Sequence, residues 1–147
     1  MNYVAQQTYQ SGLLFTQAHK LVRARIYSVL EPYGLNPSYW AILSATVASP
    51  DGIRLAYVAK TMDVKAPLIT MLSNDLIQMD LINRVPHPVD KRAKLLVITP
   101  KGKRIFIKIE EEMSQRIAKL VAGLSTTEIQ AFRKALEIII QNASTKD

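Results

Sequence analysis

The residues in this sequence that are best suited to chemistry are cations, and most of them lie in its middle third. Residues 54–104 contain ten Lys and Arg against four Asp, so this segment carries +6 of the total formal charge of +7. The remainder is nearly balanced, with nine cations and eight acids. A basic segment of this kind indicates a polyanionic binding partner.

Other chemistries lack the residues that they require. The absence of cysteine excludes disulfides, thiol catalysis and cysteine-ligated zinc. The two histidines, His19 and His87, are far apart in sequence, and a solvated helix face explains the acidic run at residues 110–112 better than a metal site does. The sequence has no Gly-rich phosphate loop, nucleophile elbow or HExxH motif. We therefore expect no enzyme activity, no cofactor and no metal.

The length and hydropathy of the chain indicate a soluble protein of one domain. With 147 residues, 48% of them apolar, it can bury its own hydrophobic core. The first basic residue is Lys20, and no apolar stretch approaches the ~18 residues that span a bilayer. We expect neither a signal peptide nor a membrane partner, and a cytoplasmic location.

Apolar periodicity and proline positions divide the chain into six helices and one β-hairpin. Pro32 and Gly34 end the first helix, Asn36 as N-cap and Pro37 begin the second, and a capping box at residues 125–128 begins the last. The predicted helices cover residues 8–31, 37–47, 55–62, 65–79, 100–122 and 125–143, and strands at 81–86 and 93–99 flank a loop. The short gap between the third and fourth helices is typical of a helix-turn-helix.

The fourth helix is predicted to have one buried face and one exposed face. At 100° per residue, Ile69, Leu72, Leu76 and Met79 form a narrow apolar stripe, which we expect to be buried. The residues expected on the opposite face are Pro67, Thr70, Met71, Asn74 and Gln78.

Several short motifs of the basic segment occur together in a fixed order. A Leu-Ala helix is followed by a Thr in the centre of the next helix, an Asp-x-Arg turn and a strand that ends in Ile-Thr-x-x-Gly. These are Leu55 with Ala56 to Ala59, Thr70, Asp90 with Arg92, and Ile98, Thr99 and Gly102. With these motifs, residues 53–105 resemble the winged helix-turn-helix of the multiple-antibiotic-resistance regulator (MarR) family.

The resemblance implies a mainly α fold with a small β-hairpin wing. It implies a single domain over residues 1–147, in which dimerisation helices at 8–32 and 105–143 flank a DNA-binding lobe at 36–104. The protein would be a homodimeric, sequence-specific transcriptional regulator, a repressor responsive to a small molecule. It would bind a pseudopalindromic operator in double-stranded DNA, with helix 65–79 in the major groove and wing 86–94 in the minor groove.

The same resemblance identifies candidate DNA contacts. In the wing, Arg92 would enter the minor groove and Asp90 would orient it by a charge-assisted hydrogen bond; the alternative is a solvated turn with an idle ion pair. On the helix, Thr70 and Asn74 are polar candidates, and Pro67 or Met71 could contact thymine methyl groups. The expected DNA-binding residues are Lys65, Pro67, Thr70, Met71, Asn74, Asp90, Lys91, Arg92 and Lys94. Lys101 and Lys103 are either phosphate contacts or solvated charges.

The chain departs from the family pattern at the recognition helix. Lys65 is the only cation there, and Ala66, Met71 and Asp75 occupy exposed positions where family members often carry Arg or Lys. Asp80 replaces the family's glycine after the helix and should adopt the left-handed conformation, which Asp tolerates. A helix so poor in cations favours an alternative function, a winged-helix module used for protein–protein contacts without specific DNA binding.

Some members of the family bind small aromatic anions between the helical region and the winged lobe. We expect the pocket for an effector of this class to be lined by His19, Arg23, Tyr27, Trp40 and Tyr57, which supply a cation and amphipathic aromatic rings. The alternative is that the aromatic residues pack in the core or at the dimer interface.

Overall fold

The computed structural model describes residues 3–90 and 92–144. Within these ranges the chain forms six α-helices, one 3-10 turn and three short strands. In chain order they are α1 (Tyr3–Tyr27), the 3-10 turn (Glu31–Tyr33), α2 (Pro37–Val47), β1 (Ile53–Arg54), α3 (Leu55–Thr61), α4 (Ala66–Gln78), β2 (Ile82–Pro86), β3 (Lys94–Ile98), α5 (Pro100–Leu120) and α6 (Thr126–Ser144). The predicted fold class, mainly α with a small β wing, is confirmed. None of the described helices is long and apolar enough to cross a membrane.

The chain divides into two compact units, Met1–Arg116 and Ile117–Asp147, and the boundary falls within α5. The first unit contains a hydrophobic core to which α2, α3, α4, β3 and α5 all contribute. Its most deeply buried side chains include Ile42, Leu43, Val58, Ile69, Leu76, Leu96 and Ile109. Helices of 7 and 13 residues, such as α3 and α4, are marginal alone, so this packing is what holds them in place.

The three strands form an antiparallel sheet in the order β1-β3-β2. Ile53 pairs with Leu96 on one side of β3, and Ile82 pairs with Ile98 on the other. The sequence predicted only the hairpin of β2 and β3. The missing strand, β1, has two residues, which is too short to show a strand periodicity. Its presence matters because β1 brings Arg54 next to the wing.

The predicted faces of α4 are confirmed. Ile69, Leu72 and Leu76 are buried, as expected, whereas Met79, the C-cap residue, is only half-buried. Ser73 is also fully buried. After α4 the backbone turns at Asp80, whose φ of 59° confirms the predicted left-handed conformation.

The motif Thr-x-x-Gly joins the end of α4 to the start of α5. The Thr99 hydroxyl donates to the carbonyl of Asp80 and accepts the backbone N–H of Gly102, both at 2.8 Å. A Cβ on residue 102 would collide with the carbonyl oxygen of Leu81, which explains the glycine. Lys101 donates from Nζ to the carbonyl of Met79 at 2.8 Å, so this cation caps α4.

The first helix differs from its predicted bounds. It starts at Tyr3 and ends at Tyr27, and the chain that follows forms a 3-10 turn instead of continuing to residue 31. Val29 and Leu30 are buried just after the helix, and a straight helix would not bring them to the core in the same way. Arg116 of α5 donates to the carbonyl of Arg25 at 3.1 Å and so caps the end of α1.

The second unit consists mainly of α6 and the turn before it. The predicted capping box is confirmed: the Ser125 N–H donates to Glu128 Oε2 at 2.7 Å, and the Glu128 N–H donates to Ser125 Oγ at 3.2 Å. The Ser125 hydroxyl also donates to Glu128 Oε2 at 2.7 Å, and this bond, followed by that from the Ser125 N–H, lowers the pKa of the Glu128 carboxyl. The apolar residues Ile138, Ile139 and Ile140 of α6 remain exposed.

Candidate nucleic-acid interface

The outer face of α4 is fully open to solvent. Pro67, Thr70, Met71, Asn74 and Gln78 are all exposed, as predicted from the helical period. Lys65 is the N-cap residue, with an extended backbone and no side-chain capping bond, so its cation stays free at the helix start. The face is uncharged apart from this residue. Because its side chains are exposed, another surface can contact them directly.

Two polar residues of this face already have hydrogen-bond partners. The Thr70 hydroxyl donates to the carbonyl of Ala66 at 3.1 Å, within the same helix. Oδ1 of Asn74 accepts from Nη2 of Arg84 in β2 at 3.0 Å. Both side chains are therefore held in one orientation, and each presents only part of its bonding capacity to a partner.

The expectation that Asp75 lies on the exposed face was wrong. It is half-buried, and its Oδ2 accepts from the Tyr39 hydroxyl of α2 at 2.8 Å. This hydrogen bond to a carboxylate raises the pKa of the Tyr39 phenol. The negative charge of Asp75 is therefore directed toward α2 and away from the open face, which removes an obstacle to binding a polyanion.

The predicted contact between Asp90 and the Arg92 guanidinium was also wrong. The carboxylate instead accepts the backbone N–H of Arg92 through Oδ1 at 3.1 Å, and its Oδ2 lies 3.8 Å from Nη1 of Arg54. An Asp side chain tends to bond the N–H two residues ahead, which shapes a turn. Asp90 therefore positions the wing backbone, while the Arg92 side chain stays exposed. Lys91, another predicted contact, lies outside the described residues.

His87 completes this network at the base of the wing. Its Nδ1 accepts the backbone N–H groups of Val89 at 3.2 Å and Asp90 at 3.1 Å. Its Nε2 lies 3.2 Å from Nη2 of Arg54. His87 therefore connects the turn of the wing to Arg54 of β1.

A cationic groove lies between the open face of α4 and the wing. Its volume is about 380 Å³, and it is lined by Arg54, Leu55, Ala56, Thr70, Arg84, Arg92, Ala93 and Lys94. Four of these eight residues are cations, and none of them is acidic. The groove gathers the predicted residues Thr70, Arg92 and Lys94 with two cations that were not predicted, Arg54 and Arg84.

Neither Arg54 nor Arg84 was predicted as a site residue. Arg54 precedes a short helix, and nothing in the sequence showed that it lies in a strand next to the wing. For Arg84, its place in a strand beside the helix-turn-helix was a usable signal, because an Arg on β2 can reach back to α4. Both residues enter the site through the sheet.

The residues predicted to line an effector pocket do not all come together. His19, Arg23 and Tyr27 share a groove of about 450 Å³ on α1, where the Arg23 guanidinium lies 5.5 Å from the centre of the Tyr27 ring. Trp40 instead stacks on Phe106 at 4.7 Å and packs against the core. Tyr57 lines a separate groove beside His87. Including Trp40 and Tyr57 with this group was wrong, because α2 and α3 turn them toward other surroundings. Across residues 3–90 and 92–144, no three His, Asp or Glu side chains form a group that could hold a metal ion.

Comparison with known proteins gives matches in sequence and in fold. Residues 33–93 match a family model described as MarR family. A MarR-family transcription regulator of known structure superposes with a TM-score of 0.87 at 20% identity, covering 97% of this chain and 93% of that one.

Two other structures were determined with ligands. CouR from Rhodococcus jostii RHA1, bound to p-coumaroyl-CoA, has a TM-score of 0.75 at 24% identity and covers 87% and 90% of the two chains. A mutant of MarR from E. coli, complexed with operator DNA, has a TM-score of 0.75 at 18% identity and covers 94% and 99%.

The matched segment runs from the 3-10 turn through α3, α4 and β2 into the wing, so it contains most of the cationic groove. The family match and the winged-helix fold agree with the motifs found in the sequence. Residues 33–93 therefore match the MarR family, and the chain has the winged-helix fold of MarR-family structures.

Proposed function

We propose that this protein is a homodimeric, sequence-specific regulator that binds a pseudopalindromic operator, with α4 in the major groove and the wing in the minor groove. The observation that carries the proposal is the cationic groove, which connects the open face of α4 to the wing. A duplex that receives a helix in its major groove and a wing in the adjacent minor groove must pass its phosphate backbone between the two. The four cations of the groove occupy that place.

The shapes of the two elements fit these assignments. α4 has 13 residues, a length of about 20 Å, and its outer face carries small or uncharged side chains that allow close approach to base edges. The wing is narrow and presents the exposed guanidinium of Arg92. A guanidinium is favoured in a narrow minor groove, where the electrostatic potential is most negative. This is the proposed role of Arg92, with Lys94 and Arg54 facing phosphates.

Dimerisation would bury two apolar surfaces that are exposed in the single chain. On α1, Leu14 is 67% exposed and Leu21 62%, and on α6, Ile139 and Ile140 are 58% and 64% exposed. Exposed apolar groups at this density on helix faces are typical of an interface. A two-fold dimer would place two copies of α4 in successive turns of the major groove, which requires a pseudopalindromic site. The dimerisation regions, residues 8–32 and 105–143, are part of this proposal.

A repressor controlled by a small aromatic anion is the finer proposal. His19, Arg23 and Tyr27 supply a cation, a titratable ring and an aromatic face in one groove, which suits a carboxylate attached to a ring. CouR, the neighbour with p-coumaroyl-CoA, binds an aromatic acyl ligand. Binding would change DNA affinity only as far as the anion prefers one arrangement of the dimer. A protein that binds operator DNA works where the DNA is, which we take to be the cytoplasm.

The test is a pair of titrations with the purified protein and a labelled duplex from upstream of its own gene. If Arg54 and Lys94 of each protomer contact phosphates, log K should fall with log salt with a slope of about −3.6 for the dimer. A mixed-sequence duplex should bind more weakly at each salt concentration. The same titrations with a panel of small aromatic acids test the effector.

Arg92→Ala should weaken operator binding by about 1–3 kcal/mol, because the minor-groove contact is lost. Arg133→Ala is the matched control, since it removes one positive charge from an 80% exposed side chain on α6. Equal operator affinities for these two variants would remove the wing assignment. Negligible, salt-insensitive binding of all duplexes by the wild type would favour the alternative, a winged-helix module used for protein–protein contacts.

A further inference from the structure

The Asn74 amide on α4 has its orientation fixed by chemistry. A guanidinium group has five N–H donors and no acceptor, so the group that faces Arg84 Nη2 at 3.0 Å must be the amide oxygen. The –NH₂ branch of the planar amide therefore points the other way, on an exposed residue. Among the described residues this amide nitrogen has no hydrogen-bond partner. Asn74 thus presents two donors outward, while its acceptor is turned back toward the sheet.

Arg84 is well placed to keep this orientation. It lies in β2 opposite Leu96 of the central strand, and its Nε is buried without a hydrogen-bond partner among the described residues. Because one N–H of this guanidinium is already buried without a partner, the loss of a further hydrogen-bond acceptor would be costly. Rotation of the Asn74 amide would bring its –NH₂ against Nη2 and lose the bond that Arg84 has on α4.

Thr70 lies one helical turn before Asn74 and has the opposite polarity. Its only hydroxyl hydrogen is donated to the carbonyl of Ala66, which leaves a lone pair of Oγ1 for a partner. The outer face of α4 thus presents an acceptor at Thr70 and donors at Asn74, about 6 Å apart along the axis.

We propose that Arg84 is a positioning residue that makes Asn74 a donor-only reader of DNA, so that the operator carries a guanine opposite Asn74. Guanine presents two acceptors, O6 and N7, in the major groove. Adenine presents one acceptor and one donor, and Asn reads it only when both its oxygen and its nitrogen face the base. The Asn74 oxygen already accepts from Arg84, so it is not available to adenine. This inference rests on the proposed function, because it assigns a base to a residue of the proposed recognition helix.

The experiment is selection of binding sites from a randomised duplex pool, followed by affinity measurements on single-base variants of the selected site. The full-length wild type and four variants are compared. Asn74→Ala identifies the base pair opposite residue 74, as the position whose preference disappears. At that position the wild type should select guanine and bind the adenine variant about ten-fold more weakly. Replacing the guanine with 7-deazaguanine, which lacks the N7 acceptor, should also weaken binding.

Arg84→Met should reduce the guanine-to-adenine ratio at that position to about two or less, because the amide becomes free to turn its oxygen outward. Asn74→Asp keeps an oxygen for Arg84 but replaces the outward donors with an acceptor, so it should fold normally and lose the preference for guanine. Asn83→Asp, on the neighbouring strand residue, is the control for the added negative charge. It should weaken binding to all sites equally and leave the guanine preference unchanged.

Selection of adenine by the wild type at that position would overturn the inference while leaving DNA binding intact. Retention of the full guanine preference by a folded Arg84→Met, or by Asn74→Asp, would also overturn it. If Arg84→Met does not fold, Asn74→Asp and the 7-deazaguanine duplex still decide the matter. Failure of the wild type to enrich any sequence would overturn the proposed function and the inference together.

Discussion

The Asp90 carboxylate makes two of the contacts that hold the wing, and its removal should separate wing order from overall stability. Asp90 accepts the N–H of Arg92 and lies 3.8 Å from the guanidinium of Arg54. The hydrogen bond contributes about 1 kcal/mol, and an ion pair this exposed adds at most about 1 kcal/mol. Asp90→Ala therefore removes about 1–2 kcal/mol from the ordered state of the loop at residues 87–93. None of the described residues of this loop is buried, so the loop can lose order while the core stays folded.

The loss of stability in this loop should lower DNA affinity and leave thermal stability nearly unchanged. DNA that needs an ordered wing must bind a less populated state, so Kd should rise by at most about five- to thirty-fold in fluorescence anisotropy at fixed salt. The midpoint of thermal unfolding, followed by circular dichroism, should change by no more than a few degrees.

Simple electrostatics makes the opposite prediction for Asp90→Ala. Deleting a negative charge next to a duplex should tighten binding, because the repulsion of phosphates is lost. Asp90→Asn separates the two effects, since it keeps Oδ1 as an acceptor for the Arg92 N–H and removes only the charge. We expect Asp90→Asn to bind at least as tightly as the wild type. If Asp90→Ala also binds at least as tightly, the carboxylate does not position the wing and the reasoning fails.

Three further predictions concern contacts that hold the helices in place. Gly102→Ala should lower the free energy of unfolding in urea by about 3 kcal/mol, because the new Cβ collides with the Leu81 carbonyl. The control is Gly12→Ala in an exposed helix, where nothing lies near the new Cβ, and it should raise the free energy of unfolding by about 1 kcal/mol. The pKa of the Tyr39 phenol is raised by its hydrogen bond to Asp75, so the phenol should stabilise the fold below pH 10 and cease to do so as pH rises through the folded-state pKa. When unfolding is measured from pH 8 to 11, the loss should be smaller in Tyr39→Phe, where the similar pair of Tyr33 and Glu112 remains. Arg116→Met should speed amide hydrogen exchange in the last turn of α1, because the capping bond to Arg25 is removed, and unchanged exchange would contradict that role.

The sequence was sufficient for the elements that depend on local patterns. The faces of α4 follow from the 3.6-residue period, and the left-handed Asp80 and the capping box at Ser125 follow from local chemistry. β1 escaped prediction because a two-residue strand is defined by its pairing with Leu96, which is a tertiary contact. The end of α1 was misplaced for a related reason, since the burial of Val29 and Leu30 overrides the local helical pattern.

The candidate site was predictable in its residue types but not in its contacts. Asp90 and Arg92 are two residues apart, and this spacing is compatible with either a side-chain pair or a turn; only the position of Arg54 across the sheet decides between them. Asp75 was likewise predicted to be exposed, because its hydrogen bond with Tyr39 of α2 is a tertiary contact that the helical period does not show. Whether the remaining predicted residues contact DNA stays a prediction.

The arrangement of charge suggests how one interface separates attraction from recognition. α4 carries Lys65 alone at its start, whereas Arg54 and Lys94 reach the groove from the sheet. Long-range attraction to phosphates depends on the number of cations, and base reading depends on the donors and acceptors of the helix face. Because these groups lie on different elements, Lys94→Ala should reduce the slope of log K against log salt by about one and leave the selected sequence unchanged. Met71→Ala should change base preference and leave the slope unchanged. A protein-contact module offers no reason for this division, because its affinity would depend on neither phosphates nor bases.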